Sequence, residues 1–280
     1  MHSSLICGFQ SLRLFQPQVM GILNVTPDSF SDGGSFNHID TALTQVDKMI
    51  ANGAMIIDIG GESTRPGAKD VSVKDELSRV IPVLKAIKSR FDIIVSVDTN
   101  KANVMAEAIE NGAGIINDVC ALQNEGCLEV MAQSTLPICL MHMQGSPRTM
   151  QKNPEYQHLV NDIISFFNER IDACQQSGID KSRLILDPGF GFGKTLKQNY
   201  QLLAQLEHFH TLGLPVLAGL SRKSMIGDLL NREVDERLAG SLSAAIIAVQ
   251  KGAKIIRVHD VKETVDALKI LNTVNLQQVN

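Results

Sequence analysis

Eight short runs of apolar, mostly β-branched residues recur along the chain, separated by longer stretches in which apolar residues return every three or four positions. The runs are Gln18–Asn24, Met55–Gly60, Ile93–Asp98, Gly114–Val119, Pro137–His142, Arg183–Pro188, Pro215–Leu220 and Lys254–His259. The helix-period stretches lie near 39–52, 73–90, 101–111, 126–134, 155–177, 196–210, 235–251 and 261–272. Buried strands alternating with amphipathic helices are the pattern of repeated βα units around a parallel sheet. Gly53, Gly112, Gly178, Gly213 and Gly252 fall just past predicted helices, where a left-handed C-terminal cap favours glycine. Eight such units predict an α/β fold, a (β/α)8 TIM barrel, as a single domain over 1–280 with its core at about 18–273. A doubly wound sheet is the competing architecture. It would want a G-x-G-x-x-G turn after the first strand, and Gly21 to Gly34 does not supply one. No linker rich in Pro, Gly or Ser divides the chain.

Composition removes several function classes. A net charge of -4, no Trp and only two Tyr leave neither an electrostatic footprint nor a stacking platform for nucleic acid. The five cysteines are odd in number and never paired as C-x-x-C, which argues against a disulfide framework or zinc cage and for reduced thiols. No apolar run approaches the roughly 20 residues that cross a bilayer, so no membrane association is expected and the cytoplasm is the default location.

In a barrel of this kind the chemistry sits at the C-terminal ends of the strands. Those ends are polar here: Asn24; Asp58, with Thr64 and Arg65 following; Asp98; Asn117 with Asp118; His142; Asp187; Ser221 to Lys223; Arg257 with His259. Taken singly, each could cap the next helix, and Asp260 reads as such a cap. Taken together, charged groups converging on one mouth need partners, and a ligand is the economical partner. The loops at 25–38 and 61–72 are long and rich in Gly, Ser, Thr and Asp, the character of lids or ligand clamps. DPGFGFGKT (187–195) fails as a Walker A motif because Pro188 stands where its first glycine belongs, and it fails as a dinucleotide fingerprint because Lys194 occupies the last glycine position. It reads as a tight loop that brings backbone and Phe190 against a flat ligand. Lys223 could form a Schiff base or donate to a ligand carbonyl, and spacing does not separate the two. Arg257 and His259, at the start of the last helix, make a natural anion site.

The segments MGILNVTPDSFSDGG (20–34), DIGGESTRPGA (58–68), SVDT (96–99), INDV (116–119), LMHMQG (140–145), LDPGFGFGK (186–194), SRKSMIG (221–227) and IIRVHDV (255–261) together resemble dihydropteroate synthase, in order and over nearly the whole chain. The resemblance implies a transferase of folate biosynthesis that joins 6-hydroxymethyl-7,8-dihydropterin pyrophosphate to p-aminobenzoate, depends on Mg2+, is sensitive to sulfonamides and forms a homodimer. By position it implies a pterin pocket of Asp98, Asn117, Asp187 and Lys223, with Arg257 stacking and Met141 and Phe190 as apolar walls. It implies a pyrophosphate site of Asn24, Thr64, Arg65, Arg257 and His259, with Asn24 the Mg2+ ligand. The p-aminobenzoate site would use Thr64, Arg65, Pro66, Phe190, Lys223 and Ser224. Asp98, Arg65, Lys223 and His259 would carry the catalysis.

A methyltetrahydrofolate-binding barrel of a corrinoid methyltransferase would share the carboxylates without needing the SRKS lysine or the lid with Thr64 to Pro66. A non-catalytic pterin-binding paralogue should have lost Asn24, Arg65 or His259, and all three are present. A Schiff-base aldolase is the distant third. The first dozen residues match nothing.

Overall fold

The computed structural model describes residues 4–26, 35–63, 70–145, 150 and 154–277. The chain opens with a hairpin, β1 (Ser4–Cys7) and β2 (Gln10–Arg13), paired antiparallel. The repeating units follow: β3 (Gln18–Asn24), α1 (Ser35–Ala51), β4 (Ile56–Gly60), α2 (Val73–Arg90), β5 (Ile94–Asp98), α3 (Ala102–Glu110), β6 (Ile115–Asp118), α4 (Cys127–Ala132), β7 (Ile138–Met141), α5 (Leu159–Gln176), β8 (Leu184–Asp187), α6 (Leu196–Ala204), β9 (Leu217–Ala218), α7 (Ser224–Leu230), α8 (Leu238–Gln250), β10 (Ile255–Val258) and α9 (Val261–Gln277). Strands β3 to β10 run parallel in the order β8-β7-β6-β5-β4-β3-β10-β9. A single parallel bridge from Leu186 to Val216 joins the two edges, giving the expected TIM barrel.

Because side chains alternate across a strand, each strand sends every second residue into the barrel. The deepest inward set is apolar, with Met20, Ile56, Ile94, Ile115, Cys139, Ile185, Leu217 and Ile255 forming one cluster. These residues are staggered from strand to strand, as a closed sheet requires: Ile115 sits opposite Ser96, and Met20 opposite Arg257. The outward residues pack under the helices in a separate, larger core. The hairpin closes the bottom of the ring, with Leu5, Cys7, Leu12 and Leu14 buried against the inward cluster.

All eight predicted strands are present, within a few residues of the expected limits. The expected helix at 196–210 is divided into α6 and a 3-10 segment, Leu206–Leu212. The expected helix at 235–251 is preceded by the short α7, which stops at Asn231 in a left-handed conformation (φ 52). The N-terminal hairpin has no counterpart in the sequence reading.

Candidate active site

Two residues beyond the apolar floor, the inward positions turn polar. Alternation places Asp58, Ser96, Asn117, Met141, Asp187, Gly219 and Arg257 there, and Asn24, Gly60, Asp98, Gly189, Ser221 and His259 one step nearer the mouth. Arg257 joins the two levels. Its Nε donates to Asp58 Oδ2 at 2.6 Å, and its guanidinium donates to Asp98 Oδ2 at 3.0 Å. Asp58 is fully buried and also accepts from Asn117 Nδ2 at 3.3 Å. Burial alone would lower the pKa of Arg257, but Asp58 and Asp98 more than reverse that and keep it charged. Burial raises the pKa of Asp98 while Arg257 pulls it back, and Asp58 adds to the rise. Asp187 is likewise raised by burial, against the Lys223 charge and the Gly189 N–H.

The loop after β8 forms one wall. Its glycines are needed: Gly189 has φ +72, and a Cβ there would stand 1.9 Å from the His142 carbonyl oxygen. The loop delivers Thr195 as N-cap of α6, where Thr195 and Gln198 form a reciprocal capping box. Lys223, from the loop after β9, donates to the Phe190 carbonyl and stands 4.6 Å over the Phe192 ring. Burial, with help from the Arg257 charge, lowers the Lys223 pKa to about 8 against Asp187 and Asp98. Lys194 lies buried behind the loop, its pKa lowered to about 7 by burial and by Lys223, against Asp187.

Backbone strain is concentrated around this mouth. Arg222 adopts φ 58 and is held by Asp260, which accepts from its Nε at 3.0 Å. The side chain of Asp260, expected to cap the last helix, therefore grips the SRKS turn, while its carbonyl accepts the Thr264 N–H. Ala121 and Leu122, at φ 52 and 57, are fixed by Asp118, whose carboxylate accepts from the Cys120 and Leu122 N–H groups at 2.7 Å each. Burial raises the Asp118 pKa to about 6, against those two bonds. Non-glycine residues kept in this region cost of order 1–3 kcal/mol each and collect at functional sites. Ser221 Oγ lies 3.1 Å from His259 Nδ1 and accepts the His259 backbone N–H, so it fixes the imidazole at the rim.

Of the residues expected in the site, Asp98, Asn117, Asp187, Lys223 and Arg257 are gathered at the mouth, with Met141 at the end of β7 and Ser224 exposed at the start of α7. A cavity of about 190 Å³ opens beside Met141, lined also by Val119, Cys120 and Met143. Phe190 departs from expectation: its ring is wholly enclosed in the outer core, so it presents its carbonyl to the mouth and no ring surface. The flanking Gly189 and Gly191, both at positive φ, turn it inward. Thr64, Arg65 and Pro66 lie outside the described residues. Asn24 is exposed at the end of β3, and a Cβ on Gly60 would stand 3.8 Å from its Oδ1 and 4.0 Å from Asp98 Oδ2. Asn24 Oδ1 is a hard oxygen of the kind Mg2+ takes when it is bound by few protein ligands. The sequence reading counted Asp58 and Ser221 among the polar strand ends of the mouth but placed them in no subsite, and it gave Lys194 no role; inward register two or four residues beyond the floor is the signal that places the first two.

The family model of pterin binding enzymes matches residues 20–259. The dihydropteroate synthase of Escherichia coli (strain K12) is 57% identical over 261 residues, covering 93% of this chain and 93% of that protein. That of Haemophilus influenzae is 57% identical over 259 residues, 92% and 94% of the two chains. A Yersinia pestis dihydropteroate synthase crystallised with a sulfonamide drug superposes with a TM-score of 0.93 at 54% identity, covering 97% of this chain and 99% of that one. A Xanthomonas albilineans dihydropteroate synthase in complex with 7,8-dihydropteroate superposes with a TM-score of 0.89 at 46% identity, covering 97% and 98%.

Proposed function

As the chain belongs to the pterin-binding enzymes, among the dihydropteroate synthases, we propose how its barrel mouth condenses 6-hydroxymethyl-7,8-dihydropterin pyrophosphate with p-aminobenzoate to give 7,8-dihydropteroate and pyrophosphate. The observation that carries the residue assignments is the convergence of two carboxylates, an amide and a lysine around one half-buried guanidinium. A pterin presents an amino group and ring N–H donors beside a carbonyl acceptor. Asp98, Asp187 and Asn117 answer the donors, and Lys223, an ammonium with three donors, answers the carbonyl while keeping the Phe190 oxygen on which it rests. Arg257, planar and held edge-on by Asp58 and Asp98, offers a face to the ring while its charge faces phosphate. Asn24, Thr64, Arg65 and His259 complete the pyrophosphate site. Thr64, Arg65, Pro66, Lys223, Ser224 and the Phe190 backbone take the p-aminobenzoate, where a sulfonamide would compete.

The bond from the pterin's exocyclic carbon to the pyrophosphate oxygen breaks with its electron pair on that oxygen, leaving a cation delocalised into the electron-rich ring. The arylamine nitrogen donates its lone pair to that carbon and loses a proton to the departing pyrophosphate or to water. An arylamine is unprotonated at neutral pH, so no dedicated general base is needed. Asp98 and Asp187 offset positive charge on the pterin, while Arg257, His259 and Arg65 stabilise the leaving group. Asn24 is the residue that would hold Mg2+, whose chemistry is to neutralise charge on pyrophosphate.

The test is pyrophosphate release from purified protein given both substrates and Mg2+, with each omitted in turn and a sulfonamide as competitor. Release that needs all three is expected. Tight pterin binding without turnover would overturn the reading in favour of a non-catalytic pterin binder, which the relatives do not support.

A homodimer is the assembly we infer, through outer helices away from the mouth. Leu229 and Leu230 of α7, Ile247 of α8 and Ile270 of α9 are exposed apolar residues there. Light scattering at twice the 30.5 kDa chain mass would agree, and a monomer at micromolar concentration would refute it. A cytoplasmic setting accords with five free cysteines whose thiol pKa values burial raises.

A further inference from the structure

Lys194 is a buried lysine, 3% exposed, that no step above uses. Its Nζ lies 2.9 Å from the Gly189 carbonyl, 3.0 Å from the Phe192 carbonyl and 3.1 Å from His142 Nδ1. An ammonium has three donors and no acceptor, and each donor finds a partner here if Nδ1 keeps its lone pair. The neutral amine would keep both carbonyls and accept from Nδ1–H, so the tie survives either state. His142 stays neutral because burial, and then the Lys194 charge, hold its pKa far below the ordinary value.

The loop so tied has its polar backbone satisfied by side chains at almost every residue. Gly189 N–H donates to Asp187 Oδ1 at 2.8 Å, Gly191 N–H donates to Asn199 Oδ1 at 2.7 Å, and the Gly193 carbonyl accepts from Tyr156 at 2.7 Å. It also has no slack towards β7. A Cβ on Gly189 would collide with the His142 carbonyl, and one on Gly193 would stand 2.8 Å from the Gln144 carbonyl. The Phe190 carbonyl, carried by this shelf, is the seat of Lys223.

We propose that Lys194, braced on His142, is a positioning residue for the transfer reaction: it sets the 189–193 shelf that seats Lys223 and fixes Asp187 for the pterin. The inference rests on the pterin roles given above to Lys223 and Asp187. Because Lys223 and Asp187 hold the pterin ring before and during reaction alike, loss of the shelf that sets them should appear in KM more than in kcat.

Lys194→Met keeps the apolar stem as far as Cε and removes the donors. Loss of these buried hydrogen bonds should raise KM for dihydropterin pyrophosphate about tenfold, with kcat changed by less than about threefold. A KM within about twofold of wild type, in a variant whose melting curve shows it folded, overturns the proposal. So does a fall in kcat at constant KM, which would place Lys194 in the chemistry. If the variant does not fold, His142→Phe serves. It removes one acceptor and keeps a ring near Phe166, whose centroid lies 4.9 Å away. KM should then rise about threefold, and an unchanged KM overturns the proposal. Wild-type turnover, measured in parallel, tells the two readings apart: its absence would sink the synthase assignment, whereas turnover with unaffected variants sinks only the role of Lys194.

Discussion

Replacing Asp58 with asparagine keeps the side chain's shape and removes one of the two carboxylates holding Arg257. With charge centres about 4 Å apart and an effective dielectric constant near 20, the attraction given up is roughly 4 kcal/mol. Several kcal/mol of carboxylate desolvation disappear with it, since Asp58 is fully buried. The asparagine oxygen can still accept from Arg257 Nε, through a neutral bond of about half the strength. The balance is a loss of about 2 kcal/mol of folding stability, or roughly 3–4 °C in Tm for a chain of this size. Function should suffer beyond that. Asp98, left as the sole carboxylate of Arg257, would turn towards it and away from the pterin donors, raising KM for the pterin substrate about tenfold. Differential scanning fluorimetry and steady-state kinetics on the same preparation would measure both. A variant with unchanged Tm and KM would refute the idea that Arg257 leans on Asp58, and one more stable than wild type would mean that desolvation outweighs the attraction.

Three further outcomes are expected. Since the protonated Lys223 is the stronger donor and its pKa is lowered to about 8, kcat/KM for the pterin substrate should fall as pH rises through that value. In Lys223→Arg the alkaline limb should be absent below pH ~10, and a limb unmoved by that substitution would assign it to another group. The Lys194 pKa of about 7, against 10.5 in a free side chain, means that the unfolded chain binds the extra proton between those values, so stability gains with rising pH across that window. Denaturation at several pH values should show this slope in wild type and a shallower one in Lys194→Met; parallel curves would contradict it. Leu12→Ala, in the hairpin under the barrel, should cost about 2–5 kcal/mol of stability and leave the KM values unaltered, because it acts at the end opposite the mouth. A shift in KM without a loss of stability would show the two ends to be coupled.

The strands are legible because each is a short, nearly continuous apolar run, the pattern of a parallel strand buried on both faces. The polar residues closing those runs mark the mouth for the same reason: a carboxylate ending an apolar run is costly unless something at the barrel end receives it. What the pattern does not carry is register. Arg257 and Asp58 are 199 residues apart, and Lys194 and His142 are 52 apart. Only the stagger of closed strands brings either pair together. Lys194 is visible in sequence solely as a misfit to a glycine fingerprint, and its meaning comes from carbonyls that a local pattern cannot place. The hairpin escaped because strands of four residues joined through Gly8 are too short for periodicity to register. The enclosed ring of Phe190 shows the converse limit, since a residue's number on a site loop does not say which way its side chain turns.

The hairpin beneath the barrel also constrains the order of events at the ribosome. Its residues are made before the barrel strands, yet the floor they pack against includes Ile255, which emerges only after seven of those strands. Ring closure waits as well, because β3 pairs with β10. Leu5, Leu12 and Leu14 therefore remain without their final partners until β10 has emerged, a long-range closure that is slow to form and prone to association meanwhile. A chaperone that shields the emerging hairpin should raise the yield of folded protein, and moving the hairpin behind α9 by circular permutation should lessen that dependence.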